Sequence, residues 1–147
     1  MRHNTILIVD DDADFAEALA SFLEANGYRV LRAASGRDGM TLARLERPDL
    51  ILMDVMMEER TEGFFRVQEL RRTPGLDDIP IFVISSMYSI ENFDIEPDPS
   101  WLGHDEFFRK PVDVPRLLRQ INARLMPHHD RTATDPVLAS GKEPVSP

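Results

Sequence analysis

The sequence contains no cysteine, so the chain can form neither a disulfide bond nor a thiolate metal site. It also lacks long hydrophobic runs. The apolar segment 5–9 is much shorter than the ~20 apolar residues that span a bilayer, and no basic start followed by an apolar run of the signal-peptide type is present. We therefore expect a cytoplasmic protein that does not insert into membranes.

Basic residues are few relative to acidic ones. The chain has 17 Lys and Arg against 26 Asp and Glu, which gives a formal net charge of −9. A nucleic-acid-binding protein normally presents a basic face that displaces counterions from phosphate. The charge therefore argues against direct nucleic-acid binding. With 147 residues, 42% of them hydrophobic, the chain is the size of one ordinary domain with its own core.

Short apolar runs alternate with longer stretches of helical period. The pattern predicts strands over 5–10, 28–33, 49–54, 79–86 and 105–110, and helices over 13–26, 36–46, 63–72 and from 114 onwards. Strands that alternate with helices form a parallel sheet with helices on both faces. The predicted fold class is therefore α/β, a doubly wound five-stranded parallel sheet.

Two segments do not fit this alternation. Pro97 and Pro99 interrupt the region where a further helix belongs, so residues 87–104 are predicted to form a short helix around 89–95 and then a loop. Residues 127–147 show scattered apolar residues without a period, which is typical of a disordered or loosely attached tail. The predicted domain therefore covers residues 1–126.

Polar residues follow the predicted strands at their carboxyl ends. The residues are Asp10 and Asp11 after the first strand, Asp54 at the end of the third, Ser85 in the fourth and Lys110 in the last. In open α/β sheets, ligands bind outside this edge, at the point where the strand order reverses. We therefore expect three carboxylates, a hydroxyl and an ammonium to meet at one edge of the sheet.

The residue types indicate phosphate chemistry. Carboxylates that lie close together repel one another unless they protonate or hold a cation, and oxygen donors without Cys or His favour Mg²⁺. A lysine ammonium can neutralise a phosphate oxygen, a serine can donate a hydrogen bond to it, and a free carboxylate can act as nucleophile.

The motifs at these positions resemble the receiver domain of two-component response regulators, including the chemotaxis receivers. ILIVDDD at 6–12 is similar to the acidic motif of that family and LILMDVMM at 50–57 to its phosphoacceptor segment, while VISS at 83–86 and FFRKP at 107–111 match its hydroxyl and Lys-Pro motifs. The resemblance covers roughly residues 5–126. It implies a flavodoxin-like fold with strand order 2-1-3-4-5.

The same resemblance implies roles for individual residues. Asp54 would be the phosphoacceptor, Ser85 would donate a hydrogen bond to the phosphoryl group, and Lys110 would pair with it. The resemblance also implies a Mg²⁺ site. Asp11 would bind the metal directly and Asp10 partly through water, while Asp54 and the main-chain carbonyl of Met56 would complete the ligands. Phe107 would be a switch residue that changes rotamer on activation.

The function implied is that of a single-domain response regulator. A sensor histidine kinase would phosphorylate Asp54, and the signal would pass to a downstream effector or to a phosphotransfer protein in a phosphorelay. Slow self-dephosphorylation is expected, but the chain would not be an enzyme in the usual sense. A homodimer formed through residues 87–126 is a further possibility.

Two alternatives remain open at this point. Asp10 and Asp12 also match the Asp-x-Asp motif of haloacid-dehalogenase-type phosphatases, in which Asp10 would be the nucleophile, although Asp12 is equally suited to cap the following helix. The loop after Asp54 departs from the receiver pattern, because Glu58 replaces the usual proline and the loop is one residue longer. A receiver-like interaction module that is never phosphorylated is therefore the second alternative.

Overall fold

Five parallel strands and four helices make up the part of the chain that the computed structural model describes. That part comprises residues 4–54, 62–85 and 105–125, with the backbone alone for 62–65 and 85. The elements are β1 (Thr5–Val9), α1 (Ala13–Ala25), β2 (Arg29–Ala33), α2 (Gly36–Glu46), β3 (Leu50–Asp54), α3 (Glu62–Arg71), β4 (Ile81–Ser85), β5 (Glu106–Arg109) and α4 (Val114–Leu125).

The sheet has the strand order β2-β1-β3-β4-β5, and every neighbouring pair is parallel. This confirms the predicted doubly wound order, and each of these elements begins and ends within two residues of its predicted bounds. The short helix predicted around 89–95 and the tail predicted for 127–147 lie outside the described residues.

Both faces of the sheet are covered, as the unbroken apolar runs of β1 and β3 predict, because every residue of these two strands is buried. One face joins α2 and α3 in a single core formed by Leu7, Val9, Ala33, Met40, Ala43, Ile51, Met53, Val67, Leu70, Leu76, Ile79, Ile81, Val83 and Phe107. The opposite face buries Ile6, Ile8, Leu50, Leu52, Phe82 and Phe108. Helix α1 packs against β1 and β2, and its buried residues lie outside the α2–α3 core.

Helix α1 has well-defined ends. At its start, the Asp12 carboxylate accepts a hydrogen bond from the main-chain N–H of Phe15 at 3.1 Å, so Asp12 is the N-cap that the sequence suggested. At its end, Gly27 has a φ of 95° and its N–H donates to the Glu24 carbonyl. The Tyr28 N–H donates to the Leu23 carbonyl, which completes a Schellman motif and buries Tyr28 and Leu23.

Burial of Tyr28 makes stability depend on alkaline pH. Burial raises the pKa of Tyr28 to about 12, because the phenolate would lose its hydration. Between the pKa of an unfolded tyrosine and this value, the unfolded chain releases a proton that the folded chain keeps. The contribution to stability is therefore intact below pH ~10 and is lost as the pH rises towards 12.

We expect the free energy of unfolding to fall by about 2 kcal/mol more in the natural protein than in Tyr28→Phe between pH 9.5 and 11.5. Urea denaturation of both proteins at each pH measures the difference. Parallel curves for the two proteins would show that the Tyr28 phenol titrates in the folded state as it does in the unfolded one.

Helix α2 lies very close to β1 at Gly39. A Cβ atom at this position would lie 2.7 Å from one methyl carbon of Val9 and 3.0 Å from the other. Val9 is completely buried and β-branched, so its methyl groups have no room to move aside. Glycine at position 39 therefore allows α2 to pack closely against the end of β1, directly before Asp10.

Gly39→Ala is expected to lower the free energy of unfolding by about 1–2 kcal/mol, because overpacking outweighs the gain in helix propensity that alanine normally brings. Urea denaturation measures the change. In a Val9→Ala background the space is available, so there the same substitution should be neutral or stabilising. A stabilising effect of Gly39→Ala in the natural background would contradict the tight contact.

The edge strand β5 is anchored at its start by Asp105. Its N–H donates to the Ile81 carbonyl at 2.7 Å, and its carboxylate accepts from the Ile81 N–H at 2.8 Å and from the Arg71 guanidinium at 2.6 Å. Arg71 also donates to the carbonyls of Asp77 and Ile79, which ties the loop after α3 to the same point. These bonds fix the amino-terminal end of β5, whereas Lys110 follows its carboxyl end.

The chain divides into two units after Asp113, and α4 begins the second. Within α4, Leu117 and Ile121 lie about one turn apart and are both buried, so the helix has one apolar face. Among the described residues, no helix has the length and apolar character needed to cross a bilayer.

Candidate functional site

Two buried carboxylates stand side by side at the carboxyl edge of the sheet. β1 and β3 pair in register up to Val9 and Met53, so the next residues along the two strands are Asp10 and Asp54. Both are nearly inaccessible, with exposures of 3% and 4%. Buried carboxylates so close together require a compensating positive charge.

The carboxylate of Asp10 is held by two hydrogen bonds. Its Oδ1 accepts from the main-chain N–H of Asp12 at 2.8 Å, and its Oδ2 accepts from the Lys110 ammonium at 2.9 Å. The Asp10 N–H donates to the Ala33 carbonyl, which continues the β1–β2 pairing past the end of β1. Both the backbone and the side chain of Asp10 are therefore fixed.

Lys110 brings the compensating charge. It follows β5, and its side chain places Nζ 2.9 Å from Asp10 Oδ2 and 3.5 Å from Asp54 Oδ2. The Lys110 side chain is only 17% exposed. One ammonium thus contacts both buried carboxylates.

The carboxylates keep this ammonium charged. Burial alone would lower the pKa of Lys110, but the hydrogen bond to Asp10 and the charges of Asp54, Asp10 and Asp12 together outweigh burial and raise the pKa above its ordinary value. Lys110 therefore remains a cation throughout the physiological range of pH.

Asp11 adds a third carboxylate at the mouth of the site. One oxygen each from Asp10, Asp11 and Asp54 can be chosen so that all three lie within 4.8 Å of one another, and Asp11 is exposed to solvent. Three hard oxygen donors, one of them open to water, are the kind of ligand set that Mg²⁺ prefers. The residues present therefore fit a hydrated divalent cation, and Asp12, which caps α1, is not part of this set.

The other predicted site residues are Ser85, Phe107 and Met56, and the structure describes only the first two. Ser85 ends β4 and pairs in register with Arg109, one residue before Lys110, so its backbone lies at the same edge of the sheet, while its side chain is outside the description. Phe107 is buried at 5% exposure in the core that the sheet forms with α2 and α3. Met56 lies outside the described residues.

The sequence did not identify the contact between Phe15 and Lys110. Phe15 is an apolar residue within the helix predicted over 13–26, yet it is only partly buried, and its ring centroid lies 4.3 Å from Lys110 Nζ. A signal was present in principle, since Phe15 falls in the first turn of the helix that follows the acidic residues.

A model of the response regulator receiver domain matches residues 6–122 of the chain. The match covers most of the chain, which therefore belongs to the response regulator receiver domain family.

Relatives of known name support this assignment. PilH of Pseudomonas aeruginosa is 37% identical over 123 residues, which are 82% of this chain and 96% of PilH. The DNA-binding dual master transcriptional regulator RpaA of Synechocystis is 36% identical over 120 residues, again 82% of this chain but only 48% of RpaA. The chain thus spans nearly all of the first relative and about half of the second.

Solved structures show the same fold. The chemotaxis response regulator CheY4 of Vibrio cholerae is similar with a TM-score of 0.69 and 26% identity, over 82% of this chain and 98% of CheY4. The N-terminal domain of the nisin resistance regulator NsrR is similar with a TM-score of 0.70 and 31% identity, over 84% of this chain and 99% of that domain. The fold is thus that of the CheY-like receiver domains.

Proposed function

We propose that the chain is a response regulator in which Asp54 accepts a phosphoryl group from a histidine kinase and passes the signal to a protein partner or along a phosphorelay. One observation carries the proposal above all others. Buried Asp54 lies beside Asp10 and Asp11, while Lys110 contacts it from the side of β5. This edge combines an acceptor, acidic metal donors and a cation.

The proposed covalent step is the transfer of a phosphoryl group from a phosphohistidine to the Asp54 carboxylate. An oxygen of Asp54 attacks the phosphorus of a phosphohistidine; the new O–P bond gives an acyl phosphate, and the N–P bond breaks to release the imidazole of the donor. Asp54 begins with one negative charge, and the acyl phosphate carries close to two. The site must therefore accommodate additional negative charge.

Two side chains would stabilise this added negative charge in the proposal. Lys110 already lies within 3.5 Å of Asp54, so its ammonium can follow the phosphoryl oxygens with little movement. In the proposal, Ser85 donates its hydroxyl to a phosphoryl oxygen, and Phe107, which is buried in β5, changes rotamer when the acceptor is phosphorylated.

Asp10, Asp11 and Asp54, together with the carbonyl of Met56, would hold Mg²⁺, with Asp10 partly through water. When bound, the metal neutralises charge on the transferring phosphoryl group. The donor set supports this assignment because all three carboxylates can direct an oxygen towards a common point.

One observation disfavours a haloacid-dehalogenase-type phosphatase. Asp12, which would be the acid in that mechanism, accepts a hydrogen bond from the Phe15 N–H and caps α1. No observation favours the interaction module that is never phosphorylated.

Incubation of the protein with a small acyl-phosphate donor and Mg²⁺ tests the proposal. Intact-mass spectrometry should show the gain of a single phosphoryl group, and a chelator should prevent it. Borohydride reduction of the acyl phosphate and peptide mapping then locate the acceptor. Absence of any gain, or a phosphoryl group on another residue, would refute the proposal.

Asp11→Asn is expected to weaken Mg²⁺ binding about tenfold or more, because the metal loses one of its negatively charged donors. Isothermal titration measures the affinity. Asp12→Asn is the matched control, since asparagine caps helices as well as aspartate does and Asp12 lies outside the cluster. Equal weakening in the two variants would indicate a general effect of charge instead of coordination by Asp11.

A further inference from the structure

The Lys110 ammonium has a third neighbour besides the two buried carboxylates. Its Nζ lies 4.3 Å from the centroid of the Phe15 ring. Phe15 is the third residue of α1, and its main-chain N–H is bound by the Asp12 carboxylate, so the ring is carried on a capped helix end beside the site. The ring and the acidic motif are thus parts of one local structure.

Phe15 is not one of the fully buried residues of α1. The buried residues of α1 are Ala16, Leu19, Ala20 and Leu23, whereas Phe15 is only partly buried. An aromatic ring held at the rim of a polar site leaves apolar surface near water, which is unfavourable unless the ring makes another contact. The ammonium of Lys110, 4.3 Å from the ring centroid, provides such a contact.

A cation within about 6 Å of an aromatic centroid is attracted by the negative face of the ring, and the attraction grows as water is excluded. The Lys110 side chain is 17% exposed, so its ammonium is largely shielded. The ring attracts this charge without occupying a carboxylate oxygen, and it restricts a long side chain that would otherwise populate many rotamers.

We propose that Phe15 is a positioning residue for Lys110, whose ammonium it holds against Asp10 and Asp54 before the phosphoryl group arrives. The inference rests on the proposed function of Asp54 and extends it to a residue outside the polar cluster. Phe15 acts through Lys110 and touches neither the metal nor the phosphoryl group in this proposal.

The spectroscopic test requires no phosphorylation. Protons above an aromatic ring are shifted upfield, so the ε-CH₂ signal of Lys110 in a ¹³C-resolved spectrum should lie upfield of a solvent-exposed lysine; Lys110→Arg assigns the signal. Phe15→Leu should move it to the position of an exposed lysine, and Phe15→Tyr, which keeps a ring, should retain the upfield shift. An unshifted signal in the natural protein would overturn the proposal.

The kinetic test uses the small phosphodonor with Mg²⁺. Phe15→Leu should slow formation of the acyl phosphate by about three- to tenfold, the range expected for one cation–π contact, and Phe15→Tyr should restore most of the rate. Phe22→Leu is the matched control, since it makes the same substitution two turns further along α1 at another partly buried position. An unchanged rate in Phe15→Leu, or equal slowing by Phe22→Leu, would overturn the proposal.

The two tests separate failure of this inference from failure of the proposed function. If Asp54 is never phosphorylated but the ring-dependent shift of Lys110 is present, the positioning contact stands and the phosphoacceptor role falls. If Asp54 is phosphorylated at the same rate with and without the ring, the positioning role falls and the phosphoacceptor role stands.

Discussion

Asp54→Asn is expected to abolish the gain of a phosphoryl group from a small phosphodonor. The amide has no negative charge and is a poor nucleophile, so it cannot form the acyl phosphate, while its size and its place at the end of β3 are unchanged. Intact-mass spectrometry with Mg²⁺ present measures the loss. We expect no detectable modification under conditions that modify the natural protein.

Asp10→Asn gives the informative comparison for this prediction. In a receiver, Asp10 belongs to the metal site, so its replacement should slow the reaction but leave Asp54 as the acceptor. In a phosphatase of the haloacid-dehalogenase type, Asp10 is the nucleophile, so the modification would disappear in Asp10→Asn and persist in Asp54→Asn. The second pattern would contradict the proposed function.

Lys110→Met is expected to lower the free energy of unfolding by about 3–5 kcal/mol in the absence of divalent metal, because it removes an ammonium that contacts both buried carboxylates. Asp10 and Asp54 are 3% and 4% exposed. The Lys110 ammonium contacts both carboxylates, at 2.9 Å from Asp10 and 3.5 Å from Asp54. Urea denaturation in a chelator measures the effect.

The cause can be separated from a simple loss of packing. If electrostatics dominate, adding Asp10→Asn to Lys110→Met should restore part of the stability, since one of the two buried negative charges is removed. Mg²⁺ should also restore part of it, because a ligand that binds only the folded state stabilises that state. A loss below about 1 kcal/mol, unaffected by either change, would indicate that water already screens these carboxylates.

Much of the site could be predicted because topology alone determines it. In a parallel sheet the carboxyl ends of neighbouring strands meet at one edge, so Asp10 at the end of β1 and Asp54 at the end of β3 had to be adjacent once these strands were recognised. The assignment of Asp12 to the helix cap followed in the same way from its position directly before the apolar period of α1, and the structure confirms it.

The remaining details depend on side-chain rotamers, which periodicity does not encode. The sequence placed Lys110 at the site but could not show that its ammonium lies closer to Asp10 than to Asp54. The helical pattern likewise put Phe15 among the apolar residues of α1 but not over a lysine 95 positions away. The hydroxyl of Ser85, the carbonyl of Met56 and the rotamer change of Phe107 stay predictions.

The ion pair between Lys110 and Asp10 also has a consequence for affinity. In the proposed receiver, a divalent ion would share the Asp10 carboxylate with the Lys110 ammonium, which lies 2.9 Å from its Oδ2, so the two cations would compete for this group. Pairing with Lys110 would therefore stabilise the buried carboxylates when no metal is bound, and the same pairing would weaken metal binding. Replacement of Lys110 by an uncharged residue should therefore raise the affinity for Mg²⁺ while it lowers the free energy of unfolding.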